Sequence, residues 1–423
     1  MKTPINIREK LSFLFLAILV VSLFFIETIK ALPTLGILGF LLTATIRKDF
    51  IKELTTPRQN KSYLILIVIF FFYAGGILSI EDGVSIDYWK HRFNVKIPFL
   101  LLPLAFLLTP YFSRKRYFGL YYLFFLVTLV TALGSIAFYI THYDEVNILI
   151  RKSKALPVVT NHVRYSIFVC FSIFIAWKLH REKFYIFTKN ELWIYRIGGV
   201  FLIAFLHIAA VRSGLIAFYA MTSLVVLYQL ILKEKRYKLG LIILLAMTIT
   251  PWLAFISLTS IQKKIENMED DLGKINIEER ANNYSLTARW YSYKVGADIF
   301  TKNKWTGIGI ANFNKEIQEN YKQNYPDINK KGIKEPHNQY LYWLGSFGIL
   351  GTTLLLSVFY FPLLWKKNYR KSNLLLLHYL IVSLSFFVEN TMETQLGANF
   401  IIIFCLIPFL YQKENDLHEP SRQ

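Results

Sequence analysis

The sequence predicts an all-α integral membrane protein with about twelve transmembrane helices and one large helical loop between spans nine and ten. Three observations lead there. The 423 residues are 54% hydrophobic and 17% aromatic but only 18% charged, with mean hydropathy +0.38, where a soluble globule carries roughly 25% charged residues. The apolar residues fall in runs of roughly 16 to 25, the length needed to cross a bilayer as a helix. Short basic stretches separate those runs, and one long polar interruption occupies 259–336. The net charge of +20 does not point to nucleic acid, because the basic residues lie between apolar runs and not on one folded face. Cys170 and Cys405 both sit inside apolar runs, so neither a disulfide framework nor a CxxC metal site is available.

The first run, 11–29, comes after Lys2, Arg8 and Lys10 and imitates a signal peptide. It is long, lacks an A-x-A site before Lys30 and leads straight into another apolar run, so it reads as a retained helix. The next eight spans are expected at 31–46, 62–80, 95–112, 117–140, 163–178, 194–211, 213–232 and 239–258. Spans ten to twelve come after the loop, at 338–364, 373–388 and 398–411. The second and last are short, and the tenth is long enough to tilt. The implied divisions are 1–258 (spans one to nine), 259–336 (the loop), 337–412 (spans ten to twelve) and a tail at 413–423. No inverted repeat of the transporter kind is visible.

Lysine and arginine placement sets the orientation. With the N-terminus inside, the inner connections, both termini and Arg196 carry 26 of the 48 basic residues. The short outer connections carry nine, including Lys90, Arg92, Lys96, Arg164 and Arg212, and the long loop carries 13. Both termini are therefore expected inside and the long loop outside. Ile261, Ile265, Met268 and Leu272 recur at helical spacing at the loop's start, and Leu286, Trp290, Tyr293, Ala297 and Phe300 form a second stripe. Trp290 and Tyr291 suit the lipid headgroups, and Gly307-Ile308-Gly309 breaks the chain beyond that stripe.

On this topology the polar residues capable of chemistry fall on the outer side: His162 and Arg164 opening span six, Arg212 at the turn before span eight, Arg289 in the loop, His337 opening span ten, and Glu389 and Glu393 between the last two spans. Each has a plainer reading. Arg212 could snorkel to headgroups; alternatively, an arginine in a tight turn offers a fixed fork of donors to phosphate. Arg289 beside Trp290 is either a lipid anchor or a second phosphate clamp. For Arg164 and His162 a purely structural role weighs at least as much. His337 has the least comfortable plain reading: the positive end of a helix disfavours imidazolium, so the ring is expected neutral near pH 7 and able to act as a general base. Pro336 suits the first turn and would fix that ring. Glu389 and Glu393 are four apart, on one face if the connection is helical, and would pair with arginines, bind acceptor or orient a histidine. His207 and His378, inside spans, are expected to make neutral helix–helix hydrogen bonds.

These residues resemble the O-antigen ligase and O-antigen polymerase family. His337-Asn338-x-Tyr340-Leu341 with Phe347-Gly348-x-x-Gly351 after it is similar to the family's signature beyond its large periplasmic loop. Arg289-Trp290, Gly307-x-Gly309 and Phe313 resemble the preceding segment, Arg212-Ser213-Gly214 the arginine of an earlier outer turn, and the run from Glu389 to Gly397 an acidic motif of some members. The likeness runs from about residue 200 onward; the first half shares only span count and topology. Ser346 departs from it, since many members carry glutamate there.

The resemblance implies a GT-C-like glycosyltransferase of the bacterial inner membrane, with a periplasmic active site and no metal or other cofactor. It would move glycan from an undecaprenyl-pyrophosphate carrier to a hydroxyl of lipid A-core with inversion. A lipid-linked repeat unit as acceptor would make it a polymerase, and a protein hydroxyl an oligosaccharyltransferase. By the same resemblance His337, Arg289 and Arg212 are catalytic, and Arg164, His162, Asn338, Tyr340, Glu389 and Glu393 are candidate substrate contacts. The rival from another class is an anion transporter, which should show broken helices in paired positions and polar residues near the midplane.

Overall fold

Backbone N–H and C=O groups in a bilayer must be satisfied within the chain, and every regular element among the described residues is helical. The computed structural model describes residues 7–45, 61–81, 84, 86–151, 154–257, 259–365 and 373–411. The basic stretches expected on the inner side at 47–60 and 366–371, together with Lys2, Lys152 and the tail at 413–423, lie outside the described residues.

In chain order the helices are α1 (Ile7–Phe25), α2 (Ala31–Thr45), α3 (Ser62–Ser79, with 3-10 ends), α4 (Ile86–Leu108), α5 (Arg114–Thr141), α6 (Tyr143–Arg151), α7 (His162–Arg181) and α8 (Glu191–Ala209). They continue with α9 (Arg212–Lys233, π-helical over its last residues), α10 (Tyr237–Ser257), α11 (Thr259–Gly273), α12 (Ser285–Lys302), α13 (Phe313–Asn324), α14 (Gln339–Trp365), α15 (Asn373–Val388) and α16 (Gln395–Leu410). Among the described residues eight are long and apolar enough to cross a membrane: α3, α4, α5, α7, α8, α9, α10 and α14. Three shorter apolar helices, α2, α15 and α16, accompany them. With α1, whose first turn carries Arg8, Glu9 and Lys10, each of the twelve expected segments coincides with an apolar helix. This is a multi-pass membrane architecture.

Three expectations need correction. Span four begins at Ile86 and not near residue 95, so Arg92 and Lys96 are helical residues turned inward, 8% and 0% exposed. In α12 the buried face is Ala288, Tyr291, Ser292, Val295 and Ile299, rotated from the expected stripe. Tyr291 is therefore buried, donating to the Asn276 carbonyl at 2.9 Å, while Trp290 remains exposed. The third concerns the start of α14: Asn338 is its N-cap, with Oδ1 accepting from Leu341 N–H at 3.0 Å. His337 and Pro336 thus precede the helix and are not in its first turn.

The loop 259–336 is mostly helical and is anchored by one irregular feature. α14 is broken at Gly348, where φ is +62° and ψ −170°. The break frees backbone groups that lipid cannot satisfy, and the loop satisfies them. Ile308 N–H donates to the Gly345 carbonyl at 3.1 Å and Gly309 N–H to that of Ser346 at 2.9 Å. In return, Ile349 N–H donates to the Lys304 carbonyl at 2.8 Å and Leu350 N–H to that of Trp305 at 3.1 Å. Contact is so close that a Cβ on Gly307 would lie 2.4 Å from Phe347 N, and one on Gly348 2.3 Å from the Trp305 carbonyl. Both glycines have positive φ.

His207 donates or accepts through Nε2 with the Tyr219 hydroxyl at 2.7 Å, and His378 through Nε2 with the Ile401 carbonyl at 3.2 Å. Both make helix–helix hydrogen bonds, as expected.

Candidate functional site

On the side of the bundle that carries the loop, four elements bring charged side chains to one carboxylate. Glu389 comes directly after α15 and is 10% exposed. Its Oε1 accepts from Arg289 Nη2 at 3.0 Å, its Oε2 faces His337 Nδ1 at 3.4 Å, and Arg164 Nη2 stands 4.0 Å from the same Oε2.

Local structure explains each placement. Arg289 lies in the first turns of α12, whose start is pinned by Asp271 at the end of α11. The two Asp271 oxygens accept from Leu286 N–H at 3.0 Å and from the Thr287 hydroxyl. Arg164 belongs to the first turn of α7, capped by Asn161, whose Oδ1 accepts from Val163 and Arg164 N–H. Arg212 opens α9 after a sharp turn in which Ala210 adopts the left-handed conformation (φ 49°). Gly214 lets α9 approach α7 so closely that a Cβ there would lie 2.5 Å from Ser166 Cβ. Arg212 is exposed, and its charge is felt by Arg289 and by Asp271. His337 is held through its backbone: its carbonyl accepts from the Tyr293 hydroxyl at 3.1 Å, and the same hydroxyl reaches the Phe387 carbonyl at 3.5 Å.

The electrostatics are lopsided. Two arginines and a histidine surround one carboxylate, and Arg212 adds a third guanidinium that interacts with Arg289 and with Asp271, the carboxylate that pins α12. Burial opposes ionisation of Glu389, but the His337 hydrogen bond and the Arg289 and Arg164 guanidinium groups hold its carboxyl below the ordinary value. An ionised Glu389 can only accept, so the facing Nδ1 must carry a proton. Arg164 Nε is buried without a hydrogen-bond partner among the described residues, so donor capacity exceeds what the protein itself uses. The cluster can bind an anion, beside an imidazole whose Nδ1 is engaged by Glu389.

The other expected site residues are placed differently. Asn338 caps α14 and its Nδ2 donates to the Phe387 carbonyl at 3.3 Å. The Tyr340 hydroxyl donates to the Ser383 carbonyl at 3.1 Å, with its ring against Phe386 and Phe387. His162 is exposed two residues before Arg164 and so projects from a different face of the same helix. Glu389 and Glu393 do not share a face, since the chain leaves α15 at Val388 and makes a 3-10 turn over Thr391–Glu393. Glu393 is fully buried and belongs to a second network.

That second network was not anticipated. Lys96 Nζ donates to Glu393 Oε2 at 3.1 Å and to the Met392 carbonyl at 2.7 Å. The Tyr73 hydroxyl and Gln339 Nε2 donate to Glu393 Oε1, at 2.5 and 2.8 Å. Arg92 reaches the Glu393 carbonyl with Nη1 at 2.9 Å and Glu335 Oε1 with Nη2. Burial opposes ionisation of Glu393, but Lys96, Arg92, Tyr73 and Gln339 together hold its carboxyl below the ordinary range. The one available signal was the i, i+4 spacing of Arg92 and Lys96 at the edge of an apolar run. Among the described residues no group of three His, Cys, Asp or Glu side chains is placed to hold a metal ion.

Residues 197–356 match the O-antigen ligase (Wzy_C) family model. The matched stretch includes Arg212, Arg289 and His337 and ends before Glu389. No curated protein shows a significant match to the chain.

Proposed function

Building on the membership of the O-antigen ligase family that residues 197–356 support, we propose that the chain is an inverting, metal-independent glycosyltransferase. It moves a glycan from undecaprenyl pyrophosphate to an acceptor hydroxyl. The observation that carries this reading is the excess of guanidinium donors around His337 and Glu389. Arg212 and Arg289 bind the pyrophosphate, and Arg164 adds a third positive charge beside them. Glu389 holds the His337 ring with the proton on Nδ1, and Nε2 takes the proton from the acceptor hydroxyl as its oxygen attacks the anomeric carbon from the face opposite the phosphate. The glycosidic C–O bond to phosphate breaks, and the charge collecting on the departing lipid pyrophosphate is stabilised by the arginines.

In this reading the loop side faces the periplasm, both termini are cytoplasmic, the twelve apolar helices all span, and 259–336 folds over the substrate. Lipid A-core as acceptor makes the protein a ligase; a second lipid-linked repeat unit makes it a polymerase. Neither a protein acceptor nor an anion-transport role has an observation favouring it. The deciding experiment is transfer from undecaprenyl-pyrophosphate oligosaccharide in proteoliposomes, with lipid A-core and with no added acceptor. Product on lipid A-core identifies a ligase, and a ladder of longer lipid-linked glycans without it identifies a polymerase. No turnover in either case, with a native donor, would sink the proposal.

A further inference from the structure

His337 and Glu389 are carried by two irregular segments, 333–338 and 389–394. Irregular backbone by itself does not hold a 3.4 Å contact in register. One face of α4 does so for both segments. Tyr88, Arg92 and Lys96 are four residues apart and therefore stack along one side of that helix. The Tyr88 hydroxyl donates to Glu335 Oε1 at 3.0 Å, two residues from His337. Arg92 grips both segments at once, Glu335 through Nη2 and the Glu393 carbonyl through Nη1 at 2.9 Å. Lys96 holds the far end, taking the Met392 carbonyl at 2.7 Å and Glu393 Oε2 at 3.1 Å. Cross-ties complete the frame: Asn390 Nδ2 donates to Glu335 Oε2 at 3.1 Å, and Gln339 Oε1 accepts from Met392 N–H at 2.8 Å.

We infer that Tyr88, Arg92 and Lys96 are positioning residues for glycosyl transfer, acting as a ruler on α4 that sets Glu389 against the His337 ring. A buried ion pair of this kind is weak evidence of stability, because apolar residues of equal volume often serve as well. What an apolar replacement cannot do is fix two backbone carbonyls and two carboxylates at defined separations. Arg92 is suited to this because its planar fork places two separate nitrogens on two segments at once, a geometry that a single ammonium nitrogen does not reproduce. The inference rests on the proposed roles of His337 and Glu389.

The test is Arg92→Lys in the full-length protein in proteoliposomes, alone and combined with Glu389→Gln. The ruler predicts that Arg92→Lys lowers kcat at least tenfold with donor KM and melting temperature unchanged. On the Glu389→Gln background the same change should cost less than twofold, because the contact it positions is already weakened. Should Arg92→Lys fail to fold, Tyr88→Phe decides. It removes only the hydroxyl tie, and a kcat loss of threefold or more that disappears on the Glu389→Gln background supports the ruler. Wild-type kcat in the single variants, or full additivity with Glu389→Gln, overturns it. If Glu389→Gln and His337→Ala themselves keep wild-type transfer, the site reading falls and the ruler with it. If they lose transfer while Arg92→Lys does not, only the ruler falls.

Discussion

Two ionic clusters lie on the loop side of this bundle, and they differ in balance. Around Glu389, two arginines and a histidine share one carboxylate, with Arg212 beside Arg289, and the cluster is partly open to solvent: the His337 and Arg289 side chains are 28% and 27% exposed. Around Glu393, Arg92 and Lys96 meet Glu335 and Glu393 one for one, with Lys96 and Glu393 wholly buried. A buried network with matched charges has little net charge to offer a ligand, although Arg92 Nε is buried without a partner among the described residues just as Arg164 Nε is. A surplus of positive charge that is partly open to solvent is suited to an anion from outside. Charge balance, not burial alone, separates machinery from frame.

The comparison can be broken most severely at the base. His337→Ala should lower transfer by about a hundred- to ten-thousandfold while leaving membrane expression and melting temperature intact, which glycan product formation and fluorescence-detected gel filtration would report together. Next in size, Arg289→Ala or Arg212→Ala should lower kcat by about a hundred- to a thousandfold. Because each removes a charge from an over-positive cluster, thermal stability should hold or rise. A melting temperature that falls with activity would mean that these arginines are frame after all.

Removing a charge from the balanced cluster, unlike the charge-conserving Arg92→Lys, should show first in stability. Lys96→Met leaves Glu393 buried without its cation and should destabilise the protein by about 3–5 kcal/mol, read as a marked drop in melting temperature. Adding Glu393→Gln should recover much of that loss. The smallest effect concerns pH. Glu389 has its carboxyl held below its ordinary 4.5, so it contributes stability that is fully present above that value and is lost as pH falls through the lowered folded-state value. Titration of Glu389 should therefore not change melting temperature between pH 5 and 7, and below that range Glu389→Gln should lose less melting temperature on acidification than the wild type does.

Most of the fold was legible because a bilayer imposes a length: each expected apolar segment coincides with an apolar helix, within a few residues for most. The convergence of Arg164, Arg289 and His337 was legible through topology, since residues at loop-side helix ends have few other places to be. What remained hidden depends on partners far along the chain. Arg92 and Lys96 read as charges of a short outer connection because the apolar run starts only near residue 95. Only Glu335 and Glu393, 243 and 297 residues away, explain how α4 buries them. Glu389 and Glu393 looked like one face of a helix, yet α15 ends at Val388, so the two carboxylates go to opposite clusters. Asn338 looked like a ligand contact and is a cap, a role its residue type predicts equally well.

The interlock of Gly307 and Gly348 also bears on how this chain could be recombined with a related one. The segment from 304 to 309 completes the hydrogen bonding of a helix that begins thirty residues later in the chain, and each glycine leaves room only for the other segment's backbone. Loop and span are therefore one unit of inheritance. A chimera that takes its external loop from one parent and span ten from another joins two halves of a single joint. Workable crossover points lie before residue 303 and after residue 351, so any property grafted through the loop must bring the first half of α14 with it.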